Sequence, residues 1–510
     1  MEVIMGQFGG LEFLNHLLIT LFLVITMILI ARTAVAGTRY SPVLIIVIFG
    51  LAMGYILQLS GIASPGLIEF PVIDLVSKMT LVALTVSFFV GGQELRKIIS
   101  NIETKEDTLV NPSQEEIILG TKSTQLFYIV RAFFVMMGID ALFRITVNIN
   151  DSLTLYYPLL AYIGIAGAMI FIDHKATVKD KPLYIRKGVI EILTILAVVV
   201  ISFYFAQWIR PVIALPHIFF AMLLSAGIGA IAHSWIPGPT VRSMLFAGIP
   251  IVLAANFMIG GSRIADAFQL PGMTDVMLYG FFGQIFWMFG GISILIFLAK
   301  SNHVRNIAPA MAGGLSHSGL TGACTAGDLG GKAASRAPIM INIPFFAHIF
   351  VFSVLAISAQ QGELMIGWAL LIALVGIVFT VLAIRTLRAS DLSERNEVKG
   401  LMQFSLGWQL TAIFGGLLLV SLGNFSIDHA VMAQSSALSH FGLFAAIQGG
   451  MFGDEAALLI PFIFAMPFLV HPFVFWMFGK AMERDGQMPA KTAFVFALIG
   501  VVGVIYALVG

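Results

Sequence analysis

Charge is what this chain has least of. Asp, Glu, Lys and Arg make up 11% of its 510 residues, against about 25% in an ordinary soluble domain. That scarcity excludes a water-soluble globule, and the mean hydropathy of +0.97 points to an integral membrane protein. There is one cysteine, Cys324, so no intrachain disulfide can form. No Walker A sequence, zinc-helix motif or cysteine cluster occurs, which argues against an ATP-driven pump or a metalloenzyme. The stretch MEVIMGQFGGLEFLNHLL lacks a positive n-region and an obvious small-residue cleavage site. The apolar run after it therefore reads as a retained span and not a signal peptide. The short alternating segments of a membrane β-barrel are missing too.

What is present is a succession of apolar runs long enough to cross a bilayer, each about 20 residues. They predict an all-α polytopic membrane protein of about 14 transmembrane helices. The spans fall near 11–32, 42–60, 70–91, 126–148, 154–173, 188–208, 213–233, 243–261, 276–299, 337–359, 365–384, 401–421, 457–479 and 492–509. With both termini outside, the cytoplasmic connections hold 21 Lys and Arg and the outer ones only Arg210 and Arg263. This asymmetry follows the positive-inside rule. It requires the polar stretches 308–336 and 431–456 to enter the membrane and return to the side they came from. The segments 98–125 and 174–187 are too short for domains and read as cytoplasmic loops.

The chain also repeats itself. A shift of 123 residues aligns SHSGLTGACTAGDLGGKAASRAPIMINIPFFAHIFVF with SHFGLFAAIQGGMFGDEAALLIPFIFAMPFLVHPFVF, with 16 of 37 positions identical and no gap. The matches include Ser316/Ser439, His317/His440, Gly319/Gly442, Pro338/Pro461 and His348/His471. A weaker repeat joins SPVLIIVIFGLAMGYI (41–56) to LPHIFFAMLLSAGIGAI (215–231), and SFFVGGQE (87–94) to NFMIGGSR (256–263). The molecule thus divides into residues 1–261, with copies at 11–97 and 188–261, and residues 262–510, with duplicated segments at 313–359 and 436–479. In the topology above the copies run in opposite directions. Inverted repeats with broken helices meeting near the midplane are the architecture of alternating-access transporters. Glycine-rich irregular backbone at membrane depth is tolerated where protein or a polar cavity satisfies it, so both stretches are expected to be opposed re-entrant hairpins.

At SAGIGA, NFMIGG, the span 276–299 and AMAGGLSHSGLTGA, the chain resembles the glutamate:sodium symporter family. The likeness covers roughly 213–352, with echoes in 41–97 and 431–476. Here the re-entrant motif reads Gly-Leu-Ser-His-Ser-Gly, and both re-entrant copies lie in the C-terminal half, where the family has one per half. The resemblance implies sodium-coupled uptake of a small carboxylate, a binding domain moving against a scaffold, and a homodimer.

Ser316, His317, Ser318, Thr321, Ser439, His440 and Gln448 are candidate contacts for a solute or sodium, the histidines also for proton transfer. Each has a plain alternative, since histidines can anchor a hairpin and hydroxyls satisfy freed backbone groups at helix breaks. Ionisable groups at membrane depth are functional hypotheses by default. Asp328, Asp454 and Glu455 are therefore expected to hold the coupling Na⁺ or H⁺, and Lys332 the anion. Arg336 reads as an interfacial anchor. Asp74 with Lys78 and Asp140 with Arg144 read as mutually neutralising pairs, and Asn256 occupies the place of Ser87 in the other copy. The expected function is secondary active transport, Na⁺- or H⁺-coupled symport of a small organic anion such as a carboxylate or acidic amino acid, in a bacterial inner membrane. A cation:proton antiporter, an ion channel and an intramembrane enzyme are the alternatives. No cofactor and no nucleic-acid partner are expected.

Overall fold

The computed structural model describes residues 10–36, 41–60, 63–64, 67–68, 71–99, 122–147, 154–171, 181–209, 217–345, 347–389, 393–423 and 425–509. Of the expected loops 98–125 and 174–187, residues 100–121 and 174–180 lie outside them, whereas 98–99, 122–125 and 181–187 belong to helices. Apart from a two-residue antiparallel pair, Ala63–Ser64 with Leu67–Ile68, the described elements are helical. Ten helices are long and apolar enough to cross a membrane. The four other expected crossings fall on the bent pair Gly331–Phe345 and His348–Gln361, inclined by 45°, and on the shorter apolar helices Val43–Leu59, Tyr157–Ile170 and His217–Ile231.

The first half contributes α1 (Gly10–Val35), α2 (Val43–Leu59), α3 (Pro71–Lys78), α4 (Thr80–Ile99), α5 (Lys122–Val147), α6 (Tyr157–Ile170), α7 (Lys181–Ile209), α8 (His217–Ile231) and α9 (Pro239–Gly261). Helix α9 contains a π-helical turn at Met244–Gly248. Small residues let the helices approach closely, which drives packing where lipid removes the hydrophobic incentive. A Cβ at Gly54 of α2 would fall on the carbonyl oxygen of Met258 in α9, and one at Gly229 of α8 on that of Phe89 in α4. Gly54 and Gly229 correspond in the early repeat, as do Phe89 and Met258. The same contact is therefore made twice with the copies exchanged.

The second half contributes α10 (Met273–Leu298), α11 (Val304–Gly314), α12 (Ser318–Thr325), α13 (Gly331–Phe345), α14 (His348–Gln361), α15 (Ile366–Leu387) and α16 (Glu394–Val420). It continues with α17 (Ile427–Leu438), α18 (Phe441–Gln448), α19 (Asp454–Ala465), a 3-10 turn at Met466–Val470, α20 (His471–Met482) and α21 (Ala490–Val509). The two halves interlock reciprocally. Phe88 meets Phe345 edge-on at 4.8 Å and 70°, and Phe257 meets Phe468 at 4.7 Å and 71°. Gly91 packs on the carbonyl of Pro338 and Gly260 on that of Pro461. Each contact is the other under the two sequence shifts, so one pseudo-two-fold relation governs both repeats.

Outward faces of α15 and α21 are apolar and exposed, among them Trp368, Leu371, Val378, Val502 and Tyr506. Among the candidate spans α9 is the opposite case, with every residue except the half-buried Arg242 buried.

Candidate functional site

Two helical hairpins, α11–α12 and α17–α18, meet tip to tip. Helices α11 and α13 run side by side in the same direction, with Asn306 against Arg336 at one end and Gly313 against the carbonyl of Met340 further on. The short α12 between them therefore returns towards the level where α11 began. Each tip is turned by a serine in the left-handed region, Ser316 at φ 47° and Ser439 at φ 51°. Non-glycine residues occupy that region rarely. It persists here because the tips brace each other. The Ser318 amide donates to the Ser439 carbonyl at 2.9 Å and the Phe441 amide to the Ser316 carbonyl at 3.1 Å, a two-stranded bridge centred on His317 and His440. The Ser318 and Ser439 hydroxyls lie 2.9 Å apart.

The histidines then cap the outgoing helices. His317 Nδ1 accepts from the Leu320 amide at 3.0 Å, and His440 Nδ1 from the Leu443 amide at 2.9 Å. An accepting Nδ1 leaves the proton of the neutral ring on Nε2. Facing those atoms are Gln284 at 2.9 Å and Gln409 at 3.3 Å, and Gln409 also reaches Ser316 Oγ at 2.9 Å. The amide nitrogen is the atom placed against each ring, and turning either amide by half a rotation presents its oxygen, which otherwise has no partner, to the Nε2 proton. In this arrangement both nitrogens of each ring are engaged, and the two histidines build the junction. Gln284 and Gln409 were missed by sequence reasoning. The signal was present: GQIFWMFGG (283–291) and WQLTAIFGG (408–416) match at Gln, Phe and both glycines under a shift of 125.

Two further histidines close the centre by crossing between copies. The His471 ring lies 4.8 Å from that of His317, and the His348 ring 4.9 Å from that of His440. All four are fully buried. The rings of His348 and His471 have no hydrogen-bond partner at either nitrogen, lie beside the carbonyls of the preceding turn, and stack at 4.0 Å on Phe345 and Phe468. A Cβ on Gly442 would come within 2.7 Å of His348 Nε2, and one on Gly319 would collide with His471. Among the described residues no group of three or more His, Cys, Asp or Glu is arranged to hold a metal ion.

Of the expected site residues, the junction gathers Ser316, His317, Ser318, Ser439 and His440, with buried Thr321 on the first turn of α12. The others stand elsewhere. Gln448 ends α18 and donates to Ser77 Oγ at 3.1 Å and Asn256 Oδ1 at 3.3 Å. Asp328, beyond the end of α12, accepts from Ser41 Oγ at 3.0 Å and faces the charge of Arg32. Lys332 is exposed on the first turn of α13, and Asp454 and Glu455 are exposed on the first turn of α19. Arg336 is buried and tied to Asn306, Glu397 at 3.0 Å and Glu394 at 3.2 Å.

A cavity of about 760 Å³ opens at the base of the second hairpin, where the chain leaves α18 through Gln448, Gly449, Gly450 and Met451. Lys78, Asp140, Arg144, His217 and Gln360 face it, with apolar walls that include Leu81, Phe143 and Phe203. Lys78 pairs with Asp74 at 2.7 Å and Arg144 with Asp140 at 2.6 Å. Comparison with protein-family models, curated proteins and solved structures finds no match to this chain.

Proposed function

We propose that this chain is a secondary active transporter of a bacterial inner membrane, coupling Na⁺ or H⁺ to uptake of a small organic anion by alternating access. The observation that carries the reading is the junction in which Ser316–His317 and Ser439–His440 exchange backbone hydrogen bonds between the two repeat copies. One protein must present one site in equivalent ways to two sides, and inverted halves meeting at broken helices do so. The hairpin helices number 8 to 12 residues. At 1.5 Å per residue none exceeds about 18 Å, well short of the roughly 30 Å hydrocarbon core. In this reading they re-enter from opposite faces, and the ten long helices, the bent pair and the three shorter apolar helices supply fourteen crossings. The likeness to glutamate:sodium symporters belongs to the same reading, with a homodimer as its assembly.

Asp328 is the coupling carboxylate of this proposal, because it is held inside by a hydroxyl that a cation or proton can replace. Asp454 and Glu455 guard the opposite face. The test is reconstitution in proteoliposomes with a panel of labelled organic anions. Uptake that requires an imposed Na⁺ or H⁺ gradient is the expected result. Cation-dependent internal pH change without any organic solute would make the protein an antiporter instead, and currents far above transporter turnover would make it a channel.

A further inference from the structure

We infer that the outer face of α15 is a docking surface for an anionic phospholipid, its acyl chains on an apolar stripe and its phosphate held by Arg385 and Arg388. The inference does not depend on the transport reading. Leu371, Leu374, Val378 and Val381 are each more than half exposed and follow one another at intervals of three and four residues, so they form one line along the helix. Arg385 and Arg388 continue that line at the same spacing and are exposed. Helix α15 has 22 residues, about 33 Å at 1.5 Å per residue and so close to the thickness of the hydrocarbon core. The two guanidinium groups thus stand at its edge, at headgroup level, where long cationic side chains reach from an apolar stem. Neither side chain has an ion pair or hydrogen bond among the described residues. Across the turn, Glu394 and Glu397 are bonded to Arg336, and Asp391 lies outside the described residues.

The repeat supplies its own control. A shift of 124 residues carries α15 onto α21, matching Ala369, Ala373, Gly376 and Ala383 to Ala493, Ala497, Gly500 and Ala507. The packing agrees. A Cβ on Gly376 would meet the amide of Thr411 in α16, and one on Gly500 that of Phe286 in α10, two residues that correspond under the shift of 125. Val495, Leu498, Val502 and Ile505 of α21 are the same exposed apolar stripe, but Val509 stands in the place of Arg385. A face whose only task was to meet hydrocarbon would need no cation, as α21 shows. Two guanidinium forks one turn apart match phosphate oxygens, which arginine binds bidentately. A zwitterionic headgroup carries its own cation and gains less from them, so the occupant is an anionic lipid.

The experiment labels the full-length protein with bimane at Val381→Cys or at its counterpart Ile505→Cys, the native Cys324 being fully buried. In mixed nanodiscs, quenching by nitroxide-labelled phosphatidylglycerol is divided by quenching by phosphatidylcholine carrying the same label. One cation near an anionic headgroup is worth about fivefold in affinity. The ratio should therefore be about fivefold or more at Val381→Cys and about one at Ile505→Cys. Adding Arg385→Gln/Arg388→Gln should bring the first ratio to about one without moving the second. Arg385→Lys/Arg388→Lys, which keeps both charges, should retain most of the preference, and this separates loss of charge from damage to the helix. Equal ratios at the two labelled positions, or a ratio at Val381→Cys indifferent to the glutamines, would overturn the inference. So would loss of the preference on adding inorganic phosphate, which would make the arginines a site for free phosphate and not for a lipid.

Discussion

The bases of the two hairpins are related by sequence, yet one is open and the other is filled. At the second base, Thr80, Ile218, Ala359, Ala445 and Met451 line the 760 Å³ cavity. Under the repeat shifts their counterparts at the first base are Ile249, Val43, Met482, Gly322 and Asp328. There the space is taken. A Cβ on Gly322 would lie 3.4 Å from Ile249 and 3.8 Å from Val43, and one on Gly330 3.9 Å from the end of Met482. Asp328 is fastened to Ser41, and Arg32 stacks on Phe246 at 3.9 Å while donating to its carbonyl. The tips, by contrast, are nearly alike in every contact. On the proposed transport reading, a symmetric junction with asymmetric bases is what a protein caught facing one side would present. In the proposed alternating-access reading the shared residues serve geometry, and the unshared ones decide which side is open.

The largest expected effect comes from breaking what is shared. Gly319→Val and Gly442→Val each drive a side chain into a histidine of the other copy, and overpacking of that kind costs about 3 kcal/mol at its upper range. Both should abolish transport and lower the melting temperature in detergent by similar amounts. If one glycine tolerated valine, the two tips would not be equivalent.

Next in size is the latch on the closed base. Asp328→Asn weakens the hold of Ser41 and Arg32, and should raise thiol modification of Thr325→Cys about tenfold, the effect of about 1.4 kcal/mol on the opening equilibrium. It should also alter the cation dependence of uptake. Unchanged modification would mean that packing by Ile249 and Met482 holds the base shut without the carboxylate.

Smaller again are the two glutamines. Gln284→Leu and Gln409→Leu leave a buried imidazole N–H unpaired, at about 1–3 kcal/mol. Gln409→Leu should be the costlier in thermal melts, because it also abandons Ser316. Equal losses would argue that the Ser316 bond contributes nothing.

The smallest effect separates the outer caps. His303 caps α11 through Nδ1, whereas its counterpart Ser426 caps α17 through a hydroxyl. Burial, and then the charge of Arg305 beside it, hold the His303 imidazole below its usual value. The folded protein thus favours the neutral ring. The corresponding stability is present above the unfolded value of about 6.5 and is lost as pH falls below it. The melting temperature should drop slightly from pH 7 to pH 5, and His303→Asn, which keeps a capping acceptor, should flatten that part of the curve. Ser426→Asn should leave the slope as it is, and a matching change there would remove the distinction between the caps.

Much of this was legible in the chain itself. Scarce charge and long apolar runs dictated membrane helices, because a buried backbone in lipid must satisfy its own hydrogen bonds. Self-similarity marked Ser316–His317 and Ser439–His440 as corresponding turns, and their glycines as the places of closest approach. Lys332, Asp454 and Glu455 looked like neighbours of those turns because they follow them closely in sequence. In space the bend at Ser316 carries the chain away, so that α12 and α18 deliver those charges to the hairpin bases and not to the tips. Correspondence between copies says which residues are alike and not which ones touch. Only the folded arrangement pairs His317 with His471 and His440 with His348, since a two-fold relation joins each copy to the other. The same holds for the open chamber. Ile against Thr, Met against Ala and Asp against Met are each unremarkable substitutions along the chain, and only their convergence around one turn fills one base and leaves its twin empty.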